Sequence, residues 1–283
     1  MSVAIRRSGF DRTVLALLCI LAFAWMLPLL WVLALSFKPN EFLMSRTDAF
    51  LAPPYTLANY LNILQTSQVF RWVLNSVVVA MGQTVGVVVL SSLAGYGFAR
   101  TEFPGRRLVF ALVIFGLAIP SQSIFIPLHR MFSHWGLQNT YAGLMLPGLA
   151  APFGVYLMTQ YFRAIPAELE EAAMLDNASR LKTFLRVILP LSLPAQATLA
   201  IFTFLAAWND YLWPLVIATK PEMYTLTRGL ASTQTNFAQS EGLGFLMSQA
   251  VFAGLPVLTV YVFFQKYLVS AVAGTGRRTE AKA

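Results

Sequence analysis

Few side chains in this sequence could do chemistry, and their spacing narrows what that chemistry could be. The two histidines, His129 and His134, stand five residues apart without acidic neighbours, too thin a set for a zinc site. The single cysteine, Cys19, rules out an internal disulfide or a cysteine metal cluster. It lies in an apolar run and is expected as an inert buried residue. None of the five lysines follows a glycine. The phosphate-cradling pattern G-x-x-x-x-G-K-[ST] is therefore absent, as is H-E-x-x-H. The residues thus point away from an enzyme: no catalytic group, no metal and no cofactor of the chain's own. Two features remain. One is an acidic run, Glu168-Leu169-Glu170-Glu171, followed by alanines. The other is Asp210, the one acid at the edge of an apolar stretch, where an ionisable group is a functional candidate by default.

The elements that must position these groups follow from composition. The 283 residues are 57% hydrophobic and 11% charged, against about 25% charged in an average soluble domain. That surplus of apolar surface needs lipid, so a soluble globular protein is excluded. A bilayer-spanning helix takes about 20 apolar residues at about 1.5 Å each. Six stretches qualify: 13–37, 72–99, 108–128, 141–162, 187–209 and 242–265. The expectation is an all-α integral membrane protein with six transmembrane helices. Arg6, Arg7 and Arg12 before the first stretch resemble a signal peptide. Its apolar run exceeds the about 7–15 residues of a signal core, so it reads as a retained anchor.

Basic residues set the orientation. With the N-terminus inside, 14 of the 20 lysines and arginines are cytoplasmic, including Arg100, Arg106, Arg163, Arg180 and Lys182. Six, Lys38, Arg46, Arg71, Arg130, Lys220 and Arg228, fall outside. Both termini are expected in the cytoplasm, and the net charge of +8 is a topology signal rather than a nucleic-acid footprint. The division is a cytoplasmic tail (1–12), a first transmembrane helix (13–37), an outer loop (38–71), a five-helix core (72–268) and a cytoplasmic tail (269–283). Within that core, 163–190 is the inner loop between spans four and five.

That loop is the most informative segment, with eight charged residues on the cytoplasmic side. Pro166 suits the first turn of a helix, where a missing N–H costs nothing. Glu168, Glu170 and Glu171 then sit near the positive helix end. Leu169, Ala172, Ala173 and Asp176 recur at helical spacing as a small-residue face flanked by acids. Asp176-Asn177 stops the helix, and Asn177 tolerates positive φ. Ser179 caps a second helix running to Leu189. Interfacial helices favour basic and bulky apolar residues; an acidic, alanine-lined helix suits docking against another protein.

Glu171-Ala172-Ala173, Asp176-Asn177-Ala178-Ser179, Phe184, Ile188, Leu189-Pro190-Leu191 and Pro194 together resemble the EAA loop of ABC importer permeases. Asn75-Ser76, Ala94-Gly95-Tyr96-Gly97-Phe98-Ala99-Arg100, Gly136 to Thr140 and Trp208-Asn209-Asp210-Tyr211-Leu212-Trp213-Pro214 resemble its carbohydrate-uptake branch. That branch includes the smaller permease subunit of the maltose importer. The sequence departs at Asn177, where the family usually has glycine, and at 271–276, which lack the branch's lysine-containing turn. The resemblance implies a non-catalytic permease subunit of a binding-protein-dependent sugar importer in the bacterial plasma membrane. Glu168, Glu171, Ala172, Ala173, Asp176, Asn177, Ser179 and Arg180 would couple it to an ATPase dimer that carries ATP and magnesium. A second permease subunit, an extracytoplasmic binding protein and membrane lipid complete the implied partners.

Sugars bind through aromatic stacking and hydrogen bonds, which makes Asn139, Trp208, Asn209, Asp210 and Tyr211 substrate-path candidates. A phosphorylated polyol such as glycerol phosphate is the alternative cargo. An independent secondary transporter is a weaker reading, since intramembrane acids for ion coupling are lacking. Gly82 and Gly86, like Gly95 and Gly97, read as sites of close helix packing.

Overall fold

The computed structural model describes residues 9–39, 52–65, 68–237 and 242–276, and among them only helices and their connections occur. The principal helices are α1 (Gly9–Ser36), α2 (Ala58–Gln65), α3 (Val69–Arg100), α4 (Arg106–Phe115), α5 (Phe125–His134), α6 (Tyr141–Leu149) and α7 (Pro152–Ala164). Then come α8 (Glu168–Leu175), α9 (Arg180–Leu191), α10 (Leu193–Asn209), α11 (Leu212–Ile217), α12 (Leu226–Phe237) and α13 (Gly242–Gly276). The segment 271–276, where the sequence departs from its resemblance, is the helical end of α13. Three stretches, Thr13–Ser36, Val69–Arg100 and Gly242–Phe263, are single helices long and apolar enough to cross a membrane. Three bent pairs meet the same test if each counts as one span: Arg106–Ala118 with Gln122–His134, Tyr141–Leu149 with Pro152–Ala164, and Arg180–Leu191 with Leu193–Asn209.

The chain divides into two compact units, Met1–Ser67 with Leu230–Leu255 and Gln68–Gly229 with Pro256–Ala283. In the first, α1 exposes its apolar side chains from Thr13 to Trp31. Cys19 is among them, so it is exposed rather than buried; a helix apolar all round has no inward face to hide it. The end of α1 is held in place by polar groups. Asn59 donates to the carbonyls of Ser36 and Lys38, both at 2.9 Å, and the Ser36 hydroxyl meets that of Tyr60 at 2.6 Å. Lys38, read from sequence as an outer-loop charge, is fully buried. Its ammonium donates to the carbonyls of Ala52 and Pro54 and lies 4.1 Å from the centre of the Tyr55 ring.

In the second unit α3 is the axis. Small residues let its neighbours approach: a Cβ at Gly82 would strike Met145, and one at Gly86 would strike Leu149. At Gly95 it would meet the Met158 Cβ at 2.7 Å and the Met158–Thr159 backbone at 3.0 Å. Gly97 differs from the expectation, with nothing within 4 Å of its Cβ position. Beside these contacts Val87, Met158, Phe162, Phe184, Ile188, Ala195 and Leu199 form one core cluster. Val79, Phe132, Leu144, Trp213, Ile217 and Ala218 form another.

Prolines explain two of the bends. Pro147 cannot donate to the Gly143 carbonyl one turn back; the Trp213 indole N–H takes that carbonyl instead, at 2.9 Å. Gln83 reaches the next carbonyl, of Leu144, at 3.2 Å. The helix ends at Leu149, and α7 leaves at 47° with Pro152 in its first turn. Pro190 and Pro194 bracket the second break, of 73°, between α9 and α10. There Ser192 and Gln196 both donate to the Leu189 carbonyl, at 2.9 and 2.7 Å. The second helix expected after Ser179 therefore runs past Leu189 to Leu191, with Phe184–Ile188 wound as a π-helical turn.

Candidate functional site

The short helix α8 and its turn bring together all eight residues that the sequence marked for coupling. Glu168, Glu170 and Glu171 occupy its first turn. Its C-terminus closes as a Schellman motif: Ala178 N–H bonds to the Ala173 carbonyl and Asn177 N–H to that of Met174, both at 3.0 Å. That motif needs a left-handed residue just past the helix end, and Asn177 supplies it at φ 58°. Asparagine thus does what glycine would do there. Ser179 then starts α9: its hydroxyl oxygen accepts from the Lys182 amide at 3.4 Å, and its carbonyl accepts from that of Thr183 at 2.9 Å.

The outer face of this turn is free within the chain. Glu168, Glu171, Ala172, Asp176, Asn177, Ser179 and Arg180 are exposed, and Ala173 is half-buried. Leu169, Met174, Leu175 and Leu181 are exposed beside them, Leu175 at 84%. Apolar and acidic side chains are thus exposed together on this short helix and its turn.

The inner face was missed by sequence reasoning, which left Glu170 out of the coupling set but gave it no partner. Glu170 is buried, and its carboxylate forms an ion pair with the Arg100 guanidinium at 2.8 Å. Arg100 ends α3, and it also donates to the Phe162 carbonyl at 2.8 Å and to that of Ile165, both at the end of α7. Tyr96, one turn earlier on α3, donates its hydroxyl to the other Glu170 oxygen at 3.4 Å. The Tyr96 ring packs against Phe184 of α9 and edge-on to Phe162. One cluster therefore joins α3, α7, α8 and α9. The available signal was Arg100 itself: a guanidinium closing an apolar helix needs an anion or carbonyls, and three glutamates follow on the same side.

At the other end of α3, the substrate-path candidates separate into held and open residues. Asn139, at φ 56°, is a clamp. Its amide oxygen accepts from the Thr219 and Lys220 amides, each at 2.8 Å, and its NH2 donates to the Thr219 hydroxyl at 2.8 Å. Trp208 is buried and stacked on Phe204. Asp210 caps α11, accepting from the Trp213 amide at 3.4 Å. Burial pushes its carboxyl above the usual aspartate range, while the amides of Trp213, Leu212 and Tyr211 pull it back. Asn209 and Tyr211 are exposed. Trp213 is buried, its ring edge-on to Phe125 and Phe132.

His129 lies 3.2 Å from the Gln138 side-chain nitrogen, and Gln138 in turn donates to the Ser133 hydroxyl at 2.7 Å. Among the described residues no three histidines, cysteines or acids gather into a metal-holding group.

Residues 87–274 match the family described as the binding-protein-dependent transport system inner membrane component. The chain is 34% identical to the diacetylchitobiose uptake system permease protein NgcG of Streptomyces coelicolor, over 93% of this chain and 87% of that one. It is 31% identical to the arabinooligosaccharides transport system permease protein AraQ of Bacillus subtilis, over 90% and 92%. Among solved structures, a chain of a bacterial ABC transporter involved in alginate import has a TM-score of 0.77, at 23% identity, over 92% of this chain and 98% of that one.

Proposed function

Since the chain belongs to the family of binding-protein-dependent transport inner membrane components, we propose that it is one permease subunit of an ATP-driven importer of oligosaccharides. The observation that carries this reading is α8: a helix stopped by a Schellman turn, with Glu168, Glu171, Leu169, Met174 and Leu175 exposed. An acidic rim around apolar side chains suits a complementary groove on a separate ATPase. The chain itself does not hydrolyse ATP; nucleotide and magnesium sit on that partner, whose closure pushes α8 and reorients the spans. We place six spans across a bacterial plasma membrane, each bent pair counting as one, with both termini cytoplasmic. A second permease subunit completes the pathway, and an extracytoplasmic binding protein delivers the cargo.

The carbohydrate names of the relatives favour saccharide cargo over a polyol phosphate. Exposed Asn209 and Tyr211 are the better candidates for the path, since Asn139 and Trp208 serve packing and loop geometry. The reading is tested by purifying the chain in mild detergent with its genomic neighbours. The expected complex contains two ATPase copies and one different permease, and in vesicles it takes up labelled oligosaccharide only with ATP and the binding protein. A chain that transports alone, without ATP, would overturn it.

A further inference from the structure

Docking alone does not move a membrane helix; the docked element must also be fixed to what moves. We infer that Glu170 and Arg100 form a strut that makes α8 move as one body with α3 and α7, so that Glu170 is a positioning residue for coupling rather than part of the docking face. This rests on the reading of α8 as the ATPase-docking helix. The three glutamates of the first turn divide by direction: Glu168 and Glu171 are exposed, whereas Glu170 is turned inward.

Its side chain is 10% exposed and that of Arg100 is 15% exposed, with 2.8 Å between the charged atoms. A surface pair of that kind would be worth little. In a shielded pair, leaving either charge alone is costly. Arg100 is also fixed by the Phe162 and Ile165 carbonyls, and Glu170 by Tyr96. The pair therefore links α8 to α3 and to the end of α7, with Tyr96 and the Phe162 and Ile165 carbonyls holding it. α8 also packs against the start of α9, and the Arg100–Glu170 pair adds the charged tie to α3.

The experiment uses the whole complex reconstituted in vesicles and measures three quantities: ATPase association, ATP hydrolysis and labelled oligosaccharide taken up per ATP. Glu170→Gln keeps the shape and removes the charge. Arg100→Met/Glu170→Met removes both charges together, which a fold tolerates far better than losing one. For both variants the ATPase is expected to remain bound, while cargo moved per ATP falls about fivefold or more, the lower range of typical coupling factors. Misfolded protein would lower uptake and hydrolysis together and leave their ratio unchanged. Wild-type uptake per ATP in the double variant would overturn the strut. Glu171→Lys separates the two readings. If it leaves ATPase association intact, the docking reading fails and the strut with it. If Glu171→Lys releases the ATPase while both Glu170 variants keep the wild-type ratio, only the strut fails.

Discussion

At the scale of single residues, the turn after α8 offers a test of what its backbone conformation contributes. Asn177 sits at φ 58°, where asparagine and glycine are both at ease. Asn177→Gly should therefore leave binding-protein-stimulated ATP hydrolysis close to wild type in reconstituted vesicles. Asn177→Val should damage it, because a β-branched side chain resists positive φ and the Schellman bonds of Asn177 and Ala178 would open. Glu171→Lys acts differently: it reverses a charge on the exposed face and leaves the turn intact. Removing one partner of a buried charged pair costs about 2–5 kcal/mol. At about 1.4 kcal/mol per tenfold, ATPase association should weaken by more than about tenfold, as read by co-purification at equal expression. Pro166, expected in the first turn, instead stands just before the N-cap Ala167. The turn was legible in sequence because the acidic first turn, Asp-Asn and the serine cap each have a local physical meaning. The inward aim of Glu170 was not, because its partner Arg100 is 70 positions earlier and only packing decides which glutamate is buried.

Among the helices, glycine spacing predicted close approach, and the structure divides the four glycines by what stands opposite. Gly95→Ala should cost about 1–3 kcal/mol, as overpacking does, since its Cβ would lie 2.7 Å from that of Met158 and 3.0 Å from backbone. Gly97→Ala faces open space within the chain and should be neutral or stabilising by about 0.5–1 kcal/mol, the helical preference for alanine. Thermal unfolding of the two purified variants in detergent measures the difference, and equal midpoints would contradict the packing described here. The same scale holds the bend at Pro147. Trp213→Phe keeps an aromatic side chain but removes the indole N–H and part of the buried ring. Leaving the buried Gly143 carbonyl without that donor alone costs about 1–3 kcal/mol, so its unfolding midpoint should fall by at least that much. Hydropathy located the apolar stretches well, because each helix must be apolar over a bilayer's width. It could not show that Trp213 replaces a lost helical bond, or that Asn139 clamps Thr219 and Lys220. Both depend on residues about 70 to 80 positions apart.

For the whole molecule, α3 ties the local chemistry to an orientation. Arg71 near one end of α3 donates to the Glu222 carbonyl at 2.9 Å, and Asn75 donates to the carbonyls of Glu222 and Tyr224. The segment holding Lys220 is therefore fixed at that end. Arg100 at the other end holds Glu170 of α8, and Arg106 donates to the Thr101 carbonyl at 2.8 Å. The 29 steps from Arg71 to Arg100 rise about 44 Å at about 1.5 Å per residue, more than the roughly 30 Å of hydrocarbon in a bilayer. Lys220 and Arg106 must then lie on opposite sides of any membrane that α3 crosses. Which side is which follows from charge, since cytoplasmic segments carry the excess of lysine and arginine and Arg106, Arg107, Arg163, Arg180 and Lys182 all belong to the α8 end. A reporter active only outside the cytoplasm should therefore be active when fused after Lys220 and silent when fused after Arg106. Activity at both positions would mean that α3 does not span. The reversed pattern would put α8 outside the cell, out of reach of any ATP-hydrolysing partner.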